Sequence, residues 1–167
     1  MSVRVVQWAT GNVGRAAVEA IMSHPELELV GAWVHSEDKA GRDVGEICGL
    51  PPLGVRASTE LAEIVALKPD CVLYAPLLPN QQEVAALLEA GVNVVTPLNW
   101  FYPGKRDVDA VRSACERGGV TLHGTGIHPG GLTERLPLTI AALSRDVTRV
   151  RAEEFSDIRS YGAVDVL

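Results

Sequence analysis

The sequence predicts an α/β protein built on a doubly wound, mainly parallel sheet, and three observations carry that expectation. Short β-branched apolar runs alternate with longer stretches of helical period, the rhythm of βαβ units. The first run, Val3 to Trp8, is apolar almost throughout, as a strand covered on both faces must be. A glycine-bearing turn joins that strand directly to an amphipathic helix.

The elements follow in order. The first helix places Val13, Ala17, Val18, Ile21 and Met22 on one side and stops at His24-Pro25. Leu27 to His35 reads as the second strand, and Ser36 to Leu53 as a long connection rich in glycine, proline and charge. A short strand at Val55 to Ala57 leads to a helix capped by Ser58 or Thr59, with Leu61, Ile64, Val65 and Leu67 inward. Cys71 to Ala75 is a strand. Gln81 to Ala90 is a helix stopped by Gly91, and Val92 to Thr96 is a strand. Asp107 to Arg117 is a helix stopped by Gly118-Gly119, and Val120 to His123 closes the series as a strand on which His123 is expected to be packed rather than catalytic.

After a glycine-rich turn, Leu132 to Leu143 reads as a helix, with Pro137 kinking it or marking its first turn. Val147 to Phe155 reads as a strand. The expected division is 1–131 for a nucleotide-binding domain. Residues 132–167 are expected to be a connecting helix and first strand, the start of a truncated second α+β domain.

Composition narrows the function. Apolar residues make up 47%, enough for a sizeable core, while the net charge of −6 argues against a nucleic-acid surface. No apolar run reaches membrane-span length, and the N-terminus has no signal core, so a cytoplasmic protein is expected. Cys48, Cys71 and Cys115 are far apart and form no Cys-x-x-Cys pair, so reduced thiols and no metal site are expected.

The chemistry concentrates in Ala9-Thr10-Gly11-Asn12-Val13-Gly14. Gly11 lets backbone approach a pyrophosphate, and Gly14 lets the helix pack against the strand. The N–H groups of Asn12, Val13 and Gly14, helped by the helix dipole, face the anion. The usual first glycine of such a turn is Ala9 here. Thr10 to Gly14 are therefore candidate cofactor contacts.

The adenine-ribose end should fall at the tip of the second strand, at His35, Ser36 and Lys39. A hydroxyl with cations nearby favours NADP(H) over NAD(H), although Glu37 or Asp38 could instead grip ribose hydroxyls. The nicotinamide side should be lined by later strand ends: Ala75 and Pro76, Thr96, and Gly124, Thr125 and Gly126.

His128, in the glycine-rich turn, is a weak candidate for proton exchange with a substrate; otherwise it merely caps the next helix. Tyr102 and Lys105 stand three apart across Pro103-Gly104, and so cannot form a pair on one helix face. Asp157, Arg159 and Tyr161 could touch a polar substrate.

The run Val5 to Gly14 resembles the dihydrodipicolinate reductase-like N-terminal domain, a Rossmann-type domain. The resemblance is closer to 2,4-diaminopentanoate dehydrogenase-like amine dehydrogenases. Ser36 to Gly45, Asp70 to Pro76, Gly124 to Gly130 and Glu154 to Tyr161 match as well. The resemblance implies an NAD(P)-dependent oxidoreductase acting by hydride transfer at a C–N centre. It also implies a small amine or amino acid-like substrate, a homo-oligomer, and a second domain that supplies substrate contacts. The isolated chain is then expected to bind cofactor and turn over little. Two other readings stay open: a non-catalytic NAD(P)-binding or sensing module, and a methyltransferase with a similar turn.

Overall fold

A computed structural model describes residues 2–105, 108–157 and 159. Six parallel strands form one sheet in the order β3-β2-β1-β4-β5-β6. They are β1 (Val3–Trp8), β2 (Leu27–Trp33), β3 (Ala57–Ser58), β4 (Cys71–Tyr74), β5 (Asn93–Thr96) and β6 (Leu122–Gly124). The chain order reverses between β1 and β4, which opens a crevice beyond their carboxyl ends.

Helices α1 (Asn12–Ser23) and α2 (Val44–Cys48) cover one face, where Val18, Ile21, Val44 and Cys48 pack against Val5, Leu29 and Ala32. Helices α3 (Leu61–Ala66), α4 (Gln81–Glu89) and α5 (Asp109–Gly118) cover the other. There Ile64, Val84, Leu87, Leu88, Val111 and Ala114 meet Val6, Val72 and Val94. The alternate side chains of β1 thus enter two different cores, which is why that strand is apolar at nearly every position. No helix among the described residues is long and apolar enough to cross a membrane.

The glycine stops act as expected. Gly91 and Gly119 take left-handed conformations just past α4 and α5. Asn80 caps α4 by accepting from the Gln82 and Glu83 N–H groups. The long connection after β2 is knotted by Asp43. Its carboxylate accepts from the N–H groups of Gly45, Glu46, Leu53 and Gly54, and these bonds hold its pKa below the usual carboxylate value.

Four expectations are corrected. Val13 and Met22 are exposed rather than inward, because α1 turns only Gly14, Val18 and Ile21 fully to the sheet. His123 is exposed rather than packed, since β6 is an edge strand. α3 begins after Glu60 without a side-chain cap; Ser58 instead accepts from the Glu60 N–H and donates to Glu63.

The fourth concerns residues after 126. A helical stretch over Ile127–Arg135, broken by non-helical His128, Pro129 and Gly130, continues into α6 (Leu136–Ala141), with Pro137 in its first turn. Val147 to Phe155 pairs with no strand among the described residues. An extended segment becomes a strand only when a neighbour takes its backbone groups. The expected helix start at Asp107 lies outside the described residues; α5 begins at Asp109.

Candidate nucleotide-binding site

The phosphate turn is set by close backbone packing. A Cβ on Gly14 would stand 2.0 Å from the Ala9 carbonyl oxygen, so only glycine brings the helix this close. A Cβ on Gly11 would meet nothing within 4 Å, so the space above that residue is open. Ala9 occupies the position of the usual first glycine and takes the left-handed conformation, with φ of 71°.

A residue not singled out by sequence holds this strained turn. Gln7 is fully buried, and its amide donates to the carbonyls of Trp8 and Ala9 at 3.0 and 2.9 Å. The signal was present in the sequence: a glutamine inside an apolar strand must find partners once buried.

α1 then starts without a side-chain cap and with no acidic residue in its first turn. Its leading N–H groups have no intrahelical partner by geometry, and no carboxylate competes for them. Asn12 and Val13, next to Gly11 in the chain, are exposed, and Thr10 is partly buried.

The structure brings the ends of β1, β2 and β4 together. Ala9, Trp33, His35, Pro76 and the Pro79–Glu83 stretch line a cleft of about 770 Å³. Trp33 forms its inner wall, stacked on buried Trp8 with ring centroids 4.4 Å apart, and His35 lies beside it at 6.1 Å. Ala75 is fixed by donating its N–H to the Trp8 carbonyl.

At the tip of β2, the Ser36 hydroxyl donates to Asp38, which lowers the carboxyl's pKa; Lys39 and Arg42 add to that lowering.

The later strand ends form a neighbouring edge. Thr96 is fully buried, and its hydroxyl accepts from the Leu98 N–H. Its side chain therefore serves its own turn, while its carbonyl takes the Thr125 N–H at 2.8 Å. Gly124 lies under the backbone of Trp100 and Phe101, and a Cβ there would come within 2.9 Å of it.

Beyond Gly126, His128 Nδ1 lies 3.0 Å from Thr133 Oγ1 and 3.5 Å from a Glu154 carboxylate oxygen. Glu134 accepts from the Thr133 hydroxyl, the Gly130 N–H and the Tyr102 hydroxyl. These bonds hold the Glu134 pKa down, and the carboxylate in turn pushes that of Tyr102 up. Sequence reasoning missed this group because Tyr102 and Glu134 stand 32 residues apart. Asp157 and Arg159 pair with each other, and Tyr161 lies outside the described residues.

Residues 3–96 match the family model of the dihydrodipicolinate reductase N-terminus. The amine dehydrogenase of Streptomyces virginiae is 32% identical over 174 residues, which span 98% of this chain and 48% of that protein. This chain therefore spans about half the length of that relative. Among solved structures, the amine dehydrogenase from Mycobacterium smegmatis superposes with a TM-score of 0.73 at 25% identity. The match covers 84% of this chain and 44% of that one. A biliverdin reductase from Synechocystis, solved with biliverdin and NADP+, matches with a TM-score of 0.56 at 26% identity, over 75% of this chain and 38% of that one. With the glycine turn, the strand order and the crevice all in agreement, the chain belongs to the dihydrodipicolinate reductase N-terminal domain family.

Proposed function

We propose that this chain is the cofactor-binding half of an amine dehydrogenase or reductase that transfers hydride at a C–N centre. The observation that carries the reading is the crevice at the β1/β4 switch point, bordered by an uncapped helix start and an open Gly11. The alignment with an amine dehydrogenase over 98% of the chain supports the substrate class, a small amine or amino acid-like molecule.

On this reading Thr10 to Gly14 hold the pyrophosphate, and His35, Ser36 and Lys39 border the adenine ribose. Ala75, Pro76 and Gly124 to Gly126 edge the nicotinamide, with Thr96 holding Thr125 from behind. Residues 1–131 form the nucleotide unit, and 132–167 lead toward the part that contacts substrate. A nicotinamide held by these residues would supply the acceptor for hydride from the carbon bearing nitrogen, with the accompanying proton lost from the nitrogen.

At the ribose end, the bond from Ser36 to Asp38 favours a different form of cofactor from the one Ser36 and Lys39 suggest by sequence. An ionised carboxylate at this tip accepts from ribose hydroxyls and repels a ribose phosphate, which supports NAD(H) over NADP(H).

Titrating the purified chain with NADH and NADPH, read by quenching of tryptophan fluorescence, tests the cofactor reading. Trp33 lines the cleft, so saturable quenching is expected. No saturable binding of either cofactor would overturn it. Assays of 2,4-diamino acids and short alkyl amines with the oxidised cofactors test the substrate class.

A further inference from the structure

A second cavity, of about 590 Å³, opens beyond the ends of β5 and β6. Tyr102, His128, Pro129, Thr133, Glu134 and Leu138 line most of it. Its polar lining groups come from two separated segments, the loop after β5 and the turn after β6; Glu154, outside the lining, reaches His128 Nδ1 at 3.5 Å.

Hydrogen-bond direction is fixed along this group. Glu134 has a lowered pKa and is ionised near neutral pH, so it can only accept. Thr133 carries one hydroxyl proton, and it points at Glu134 Oε2 at 2.5 Å. The Thr133 oxygen can then only accept from His128 Nδ1, which stands 3.0 Å away. The other group facing Nδ1 is the Glu154 carboxylate at 3.5 Å, again an acceptor. Both neighbours demand a proton on Nδ1. Among the described residues no hydrogen bond engages Nε2.

We propose that Glu134, acting through Thr133, positions His128 as its Nδ1–H tautomer and leaves Nε2 as the basic atom of this cavity, where it takes a proton from an alkylammonium group. The inference rests on the amine reading above for the identity of the ligand, while the tautomer stands on the hydrogen-bond geometry around an ionised Glu134.

In the transfer, one N–H bond of the ammonium breaks and an Nε2–H bond forms. The free amine is left with its lone pair, and the ring becomes imidazolium. Its charge then faces the Glu154 carboxylate directly and Glu134 through the Thr133 hydroxyl; Tyr102 remains bonded to Glu134. Thr133 and Glu134 are positioning residues here, since neither touches the amine.

Nitrogen-15 NMR of the labelled full chain tests this without turnover. At about pH 9 an ordinary imidazole is neutral and its tautomer can be read from the ring nitrogens. His128→Gln identifies the His128 signals among those of the four histidines. The expected wild-type state is Nδ1–H. In a Glu154→Ala background, which removes the other acceptor at Nδ1, Thr133→Val keeps the shape, removes the hydroxyl and should move His128 toward the Nε2–H form that free imidazole prefers, while Thr133→Ser should keep Nδ1–H. Adding propylammonium chloride should shift the Nε2 signal of His128 and leave those of His24, His35 and His123 in place.

An Nε2–H tautomer in the wild type, or one unchanged by Thr133→Val in the Glu154→Ala background, overturns the relay. An Nε2 signal indifferent to propylammonium overturns its role toward amines. NADH titration of the same samples reports on the nucleotide reading separately, so failure of one is not mistaken for failure of the other.

Discussion

The turn after β1 and the turn after β6 both follow parallel strands and both depend on glycine, yet they are held by different forces. Around Ala9 to Gly14 the constraints are backbone contacts and one buried amide: Gly14 against the Ala9 carbonyl, and Gln7 bonded to two carbonyls. Around Gly126 to Glu134 the constraints are polar side chains near the surface, brought together from distant segments. The contacts that hold the first turn involve no ionisable side chain. The second owes its shape to a carboxylate that must stay ionised.

The sharpest way to separate the two kinds of constraint is to add single carbons to the first turn. Gly14→Ala forces a Cβ into a space where the Ala9 oxygen would be 2.0 Å away. Overpacking of this kind costs about 1–3 kcal/mol, and the thermal midpoint should fall accordingly, with cofactor affinity falling as the turn shifts. An unchanged midpoint would show that the turn is softer than its packing implies.

Gly11→Val should do the reverse. Its Cβ meets no protein atom, so the midpoint should hold while NADH affinity drops at least tenfold, about 1.4 kcal/mol. Fluorescence titration alongside thermal melts reads both. Equal affinity in the folded variant would remove Gly11 from the site.

A smaller effect is expected at the ribose end. Asp38→Asn removes the negative charge and leaves the Ser36 hydroxyl free to turn. Lys39 and Arg42 are then less offset, and the ratio of NADPH to NADH affinity should rise a few-fold, as an exposed charge warrants. A ratio that does not move, or a wild type that already prefers NADPH, would contradict the carboxylate reading.

How much of this was legible in the sequence follows the same divide. Spacing alone placed Gly11 and Gly14, because a strand, a tight turn and a helix leave a local pattern of small residues. The alternation of elements gave the parallel sheet, and Gly91 and Gly119 ended helices where their positions said they would.

Strand order is not a local property, so the edge position of β6, and with it the exposure of His123, stayed hidden. The Trp8–Trp33 stack and the bond from Tyr102 to Glu134 depend on register and loop path, which periodicity does not encode. Val147 to Phe155 shows the opposite failure. Its apolar pattern satisfied the rule for a strand, but a strand is defined by a partner, and none of the described residues supplies one.

The smallest effect distinguishes the two turns most cleanly, because it should be visible in one and absent in the other. The pKa of Glu134 lies below its usual value of 4.5 through the bonds from Thr133, Tyr102 and Gly130, in that order of weight. A depressed carboxylate contributes its tether above the ordinary value and loses it as pH falls through the depressed one. The Gly130 amide proton, which donates to Glu134 at 2.5 Å, should therefore shift in acid below about pH 4.5. The Asn12 to Gly14 amides should not follow that titration, since α1 has no acid in its first turn. Tyr102→Phe removes one of the donors, so the Gly130 titration should move up toward the ordinary carboxylate value while the thermal midpoint stays in place. Amide NMR across an acid series reads both. A midpoint of titration unchanged by Tyr102→Phe would mean that the phenol contributes nothing to the ionisation of Glu134, and the contrast between the two turns would then rest on Thr133 and Gly130 alone.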